Sequence, residues 1–128
     1  MNIVDSSCWL EYLMNTSIGA TIAPIIEKPT ELIVPTITLY EVYKKLVAEK
    51  DSDYAMNIIE YMQSAIVINL DSGLSILAAQ ISREHNLPMA DSIIYATSKH
   101  YSAELWTTDK HFKDISGVRY FQKPNLRL

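Results

Sequence analysis

A lone cysteine, three glycines and a shortage of positive charge mark what this 128-residue chain does without. One thiol, that of Cys8, cannot form an intramolecular disulfide, and no Cys/His cluster has the ligand spacing of a structural zinc site. A reducing, cytoplasmic setting is therefore expected. No stretch approaches the roughly 20 uninterrupted apolar residues that cross a bilayer. The opening Met-Asn-Ile-Val-Asp also lacks the basic and apolar regions of a signal peptide. The expectation is a soluble, unprocessed protein with no membrane contact.

Lys and Arg number 11 against 15 Asp and Glu, a formal net charge of -4. That balance argues against non-specific coating of nucleic acid, because affinity for a polyanion grows with the number of phosphates neutralised. A local basic strip is still compatible with it. So is a set of carboxylates converging on bound cations, whose own charge the composition omits.

What the chain does have is hydrophobic residues, 48% of the total, enough for one sizeable core and a single domain over residues 1–128. No repeat, low-complexity tract or Gly/Ser/Pro linker divides it. Short apolar runs alternate with stretches of helical period, the pattern of an α/β fold. Ile3-Val4 reads as a first buried strand, and Ser6 and Ser7 as caps of a helix carrying Trp9, Leu10 and Leu13. A second helix is expected from Ile18 to about Glu27. Residues 31–35 read as a second strand ended by Pro35. Thr38 then opens a helix with Leu39, Val42, Tyr43, Leu46 and Val47 at intervals of three and four. Further helices are predicted over 52–64, around Leu74 to Ile81, and from about Met89 to Tyr101 behind Pro88. Strands are predicted at 66–68, 105–107 and 118–121. Five short strands separated by helices imply a mainly parallel sheet with helices on both faces, a three-layer α/β/α arrangement.

Four acids are placed to matter. Asp5 and Asp109 end the first and fourth strands, and in an open α/β sheet ligands bind in the crevice outside the carboxyl ends of the strands, where strand order reverses. Each could instead cap the helix that follows. Glu41 lies three residues after Thr38, the spacing of a capping box, yet its helix opens onto the same edge. Asp91 falls in the first turn of its helix, where an acid is stabilised by the helix dipole. Four carboxylates sharing one crevice would repel until some were protonated, and divalent cations remove that conflict. An all-oxygen set without nearby Cys suits Mg2+ or Mn2+ rather than Zn2+, and such ions favour phosphodiester hydrolysis. A receiver-like or phosphatase-like site needs adjacent acids or Asp-x-Asp after the first strand, whereas Asp5 is followed by Ser6 and Ser7.

Four segments, in order and spacing, carry a resemblance: Met-Asn-Ile-Val-Asp-Ser-Ser at the start, Thr-Ile-Thr-Leu-Tyr-Glu-Val at 36–42, Leu-Pro-Met-Ala-Asp-Ser-Ile-Ile-Tyr-Ala-Thr-Ser at 87–98, and Leu-Trp-Thr-Thr-Asp-Lys-His-Phe at 105–112. Together they resemble the PIN domain as found in VapC-type toxin ribonucleases of type II toxin-antitoxin systems. The resemblance implies a Mg2+- or Mn2+-dependent endoribonuclease acting on RNA. It also implies a homodimer and a small cognate VapB-like antitoxin that inserts a C-terminal segment into the active-site groove. By position, Asp5, Glu41, Asp91 and Asp109 form the acidic, metal-holding quartet. Thr107 is the accompanying hydroxyl, Ser6 the small polar residue after the first acid, and Asp114 a candidate auxiliary acid. The alternative is a non-catalytic PIN-like module that binds protein or RNA.

Lys44 and Lys45 share a helical face with Glu41 and read either as exposed ion pairs or as RNA phosphate contacts. Lys110, His111 and Lys113 read as phosphate contacts or as a solvated turn. His85 and His100 suit helix C-termini. Tyr40, Tyr43 and Tyr54 are expected in the core rather than at a dimer surface. Met56, Ile59 and Met62 form a stripe whose simplest role is packing, with an antitoxin groove as the alternative.

Overall fold

The computed structural model describes residues 1–124. Among these, five strands form one sheet: β1 (Asn2–Val4), β2 (Leu32–Pro35), β3 (Ile66–Ile68), β4 (Glu104–Thr107) and β5 (Val118–Tyr120). All pairings are parallel and the order is β3-β2-β1-β4-β5, so chain direction across the sheet reverses between β1 and β4. Six α-helices connect them: α1 (Ser6–Leu13), α2 (Ser17–Ile26), α3 (Thr36–Glu49), α4 (Ser52–Gln63), α5 (Ser72–His85) and α6 (Met89–His100).

Strand alternation sorts the core into two layers, because successive side chains point to opposite faces. Val4, Leu32 and Val34 face one cluster with Trp9, Ile22, Ile26, Val42, Leu46 and Met62 from α1 to α4. Their neighbours Ile3 and Ile33 face the other cluster, with Ala78, Ile81, Ile94 and Tyr95 from α5 and α6. The three-layer α/β/α arrangement follows from this. Asn86 ends α5 in the left-handed conformation (φ 54°), which Asn tolerates, and Leu87-Pro88 cannot continue the helix. Gly19 is required where α2 crosses α1: a Cβ there would lie 2.3 Å from the Glu11 carbonyl oxygen.

Several local expectations are corrected. Helix α3 begins directly after Pro35, two residues before Thr38, with no side-chain cap. Thr38 therefore sits inside the first turn, fully buried, and the Thr38–Glu41 capping box does not form. The cap of α1 is Asp5 itself, which accepts from the Ser6 N–H at 2.9 Å, rather than Ser6 or Ser7. Tyr40 and Tyr43 are exposed, at 59% and 37%, and only Tyr54 packs against the core. Ile59 and Met62 are buried in the core while Met56 faces solvent, so the stripe is packing. His85 and His100 lie in the last turns of α5 and α6. Among the described residues, no helix is long and apolar enough to cross a membrane.

Candidate metal centre and nucleic-acid cleft

The reversal between β1 and β4 opens a crevice at the carboxyl edge of the sheet, and the four acids reach it from different elements. Asp5 follows β1, Glu41 comes from the second turn of α3 after β2, Asp91 from the first turn of α6, and Asp109 from the loop after β4. All four line one cleft of about 430 Å³, together with Ser6, Ser7, Leu10, Glu11, Lys45 and Lys123.

Asp5 is almost inaccessible and tightly held. Its Oδ1 accepts from the Ser6 N–H, and its Oδ2 accepts from Thr107 Oγ1 at 2.7 Å and Ser7 Oγ at 3.0 Å. Thr107 Oγ1 in turn accepts from the Asp109 N–H at 2.9 Å, so one buried hydroxyl ties the ends of β1 and β4 together. Asp109 caps a short 3-10 turn (Lys110–Phe112), accepting from the His111 N–H at 2.9 Å. The capping roles read from the sequence for Asp5 and Asp109 are thus real, and they aim the carboxylates rather than compete with the cleft. The His111 ring bridges two of the acids: Nδ1 lies 2.7 Å from Asp109 Oδ1 and 3.3 Å from Asp91 Oδ2.

Crowding shows in the protonation equilibria. Burial pushes the Asp5 carboxyl above the usual range, against the pull of its hydroxyl donors, and the Asp109 charge adds to the rise. Glu41 is raised by burial first and by the Asp5 charge next, with Ser6 opposing. Asp91 is raised to about 7, by burial first, then by Asp109 and Asp5, while His111 acts the other way. In addition, Glu41 Oε1 is buried without a hydrogen-bond partner among the described residues. A carboxylate oxygen without a partner, in a side chain that feels the charges of Asp5 and Asp109 and shares its cleft with Asp91, marks a site short of positive charge. The donor set therefore fits a hard divalent cation. One ligand atom each from Asp91, Asp109 and His111 lie within 4.8 Å of one another, so a nitrogen donor is also at hand.

Of the lysines proposed for phosphate contact, Lys45 lines the cleft, pairing with Glu49 at 3.1 Å. Lys44 lies over the Tyr40 ring and borders a neighbouring depression with Glu41. Lys110 is exposed on the turn after Asp109 and Lys113 just beyond it, and neither lines the cleft. Asp114 is exposed, in a left-handed turn, and does not line the cleft either.

Among the polar and charged cleft residues, Ser7, read only as a helix cap, and Glu11, Glu49 and Lys123 went unassigned as site groups in the sequence. Glu11 is one turn after Ser7 on α1, and Glu49 two turns after Glu41 on α3, so helical spacing was an available signal for both. For Lys123, near the end of the described chain, no local pattern gave notice.

Fold and crevice together define a parallel α/β domain with four carboxylates gathered at its switch point. Residues 3–118 match the PIN domain family, and the chain belongs to it. No curated protein sequence matches the chain. Among solved structures, it is similar to a toxin-antitoxin complex from Klebsiella pneumoniae (22% identity, TM-score 0.75, covering 92% of this chain and 95% of that one). It is also similar to VapC20, a sarcin-ricin loop cleaving toxin of Mycobacterium tuberculosis (16%, TM-score 0.74, 93% and 98%). DNA-bound VapBC from Salmonella typhimurium is a third (17%, TM-score 0.70, 94% and 98%). At these identities the structural likeness establishes a shared fold.

Proposed function

We propose that this PIN domain is a metal-dependent endoribonuclease and the toxin of a toxin-antitoxin pair. The observation that carries the reading is the convergence of Asp5, Glu41, Asp91 and Asp109 on one cleft with Glu41 Oε1 left unpartnered. These four acids are the residues that would hold Mg2+ or Mn2+, with His111 beside Asp91 and Asp109. A divalent cation held by these residues would supply charge neutralisation of the phosphodiester and of the attacking water. The chain's own contribution is positioning. Thr107 and Ser7 hold the Asp5 carboxylate, the 3-10 turn holds Asp109, and the first turn of α6 presents Asp91 to the cleft.

The toxin role rests on the family together with neighbours described as toxin-antitoxin and VapBC assemblies. The partner is accordingly a VapB-like antitoxin that covers the cleft, and the chain works as a cytoplasmic homodimer. Incubation of the purified protein with RNA, with and without EDTA, tests the enzyme. Mg2+- or Mn2+-dependent cleavage that is lost in Glu41→Gln is the expected result. Cleavage indifferent to EDTA would reject the metal centre, and absence of cleavage under all metals would leave a binding module. Expression should arrest growth unless the adjacent open reading frame is co-expressed.

A further inference from the structure

The nuclease reading leaves the far end of the cleft unexplained, and there the charges are arranged unusually. Six carboxylates line the wall, Asp5, Glu11, Glu41, Glu49, Asp91 and Asp109, against two cations, Lys45 and Lys123. Cations held by the quartet would relieve four of the acids, but Glu11 and Glu49 lie beyond that set and still repel a polyanion. Lys45 is engaged by Glu49 at 3.1 Å. Lys123 is held more loosely: its Nζ is 4.0 Å from Glu11 Oε2, and its side chain is 58% exposed.

The backbone that carries Lys123 is anchored next to the quartet. Phe121 N–H donates to the Thr107 carbonyl at 2.8 Å, and the Phe121 ring stacks on Trp106 at 6.0 Å with an interplanar angle of 20°. Two residues later the chain delivers Lys123 to the junction between the main cleft and a second cavity of about 290 Å³, lined by Glu11, Thr16, Ser17, Ile18, Lys123 and Pro124. Glu11 is buried and already accepts from Thr16 Oγ1 at 2.9 Å through its other oxygen, so it does not depend on the lysine for a partner. The contact is at its distance limit and the lysine end is open to water, so Lys123 is free to swing onto a phosphate while Thr16 still donates to the buried Glu11 carboxylate.

Resting on the nuclease reading, we propose that Lys123 binds a phosphate of the RNA strand flanking the scissile bond, and that Glu11 holds the lysine at the junction until substrate arrives. The strand then runs from the quartet past Lys123 into the second cavity. Lys123 is a substrate-binding residue of the cleft, and Glu11 is its positioning partner.

The test uses a labelled oligoribonucleotide and full-length protein with Mg2+, read as KM, kcat and the dependence of KM on KCl. Lys123→Gln should raise KM roughly fivefold, the loss of one charged contact, with kcat nearly unchanged. It should also flatten the slope of log KM against log salt by about 0.7, one phosphate on a single strand. Lys123→Arg should restore both. Glu11→Gln, which keeps an acceptor for Thr16, should lower KM by freeing the lysine. Wild-type KM and salt slope in Lys123→Gln, with wild-type protein cleaving normally, would overturn this inference and leave the nuclease standing. A fall in kcat at an unchanged salt slope would do the same, by showing a structural role. A wild-type protein that cleaves no RNA would remove the nuclease reading and the Lys123 assignment together.

Discussion

Replacing Asp91 by Asn should stabilise the metal-free protein at neutral and higher pH. Asp91 is only 8% exposed, and burial with Asp109 and Asp5 nearby raises its folded pKa from 3.8 to about 7. Well below pH 3.8 the acid is protonated in both folded and unfolded chains and costs nothing. As pH rises above 4 the unfolded chain releases the proton while the folded chain keeps it, and stability is lost progressively until about pH 7. A rise from 3.8 to about 7 corresponds to ~4 kcal/mol at most. Water in the open cleft screens the charges, which brings the working figure to about 2 kcal/mol. Asn is isosteric and uncharged, and its amide can donate towards Asp109. Thermal unfolding followed by circular dichroism in EDTA should therefore show Asp91→Asn higher in Tm by about 5–10 °C at pH 8. The gain should vanish near pH 4. Saturating Mg2+ should reverse the order, because only the wild type then gains a ligand. A variant less stable than wild type at pH 8 in EDTA, or a gain equal at pH 4 and pH 8, would refute the reasoning. Asp5 is a poorer choice for this experiment, since its Oδ2 accepts two hydroxyls that an amide nitrogen cannot.

Three more outcomes follow from the same geometry. Metal affinity should rise as pH increases through about 7, because a cation must displace the Asp91 proton; calorimetric titrations at pH 6 and pH 8 giving equal affinity and no proton release would contradict this. Thr107→Val removes both the donor to Asp5 and the acceptor for the Asp109 N–H. It should cost about 1–3 kcal/mol in urea unfolding and depress cleavage, whereas full activity would show that the hydroxyl does not set the two acids. Gly19→Ala drives a Cβ into the Glu11 carbonyl and should cost at least about 2 kcal/mol, measured by denaturant midpoint; an unchanged midpoint would mean α1 and α2 separate freely.

The alternation of apolar runs was enough to read the α/β order and nearly every element, because strand and helix periods are local properties of the chain. The third strand was legible to the residue, and α5 was legible from its Asn86-Leu87-Pro88 stop. Element starts were less so. Thr38 looked like a cap, but Pro35 already supplies the fixed φ that starts α3, and the hydroxyl is buried within the first turn. Tyr40 and Tyr43 looked like core because large aromatics usually are, and nothing local showed that their side chains stay exposed on α3.

For the candidate site, the sequence by itself determined the residue types and their offsets from strand ends: Asp5 after β1, Asp109 after β4, Glu41 and Asp91 in helices opening onto the same edge. Only the tertiary structure decided how those groups interact. Strand order places β1 beside β4, so Thr107 can bridge Asp5 to Asp109 and the His111 ring can lie between Asp91 and Asp109. The same folding leaves Glu41 Oε1 without a partner among the described residues and carries Lys123 to Glu11 across more than a hundred residues. Periodicity reports on neighbours along the chain. Electrostatic coupling depends on separation in space and on burial, and both are set by which strands pair.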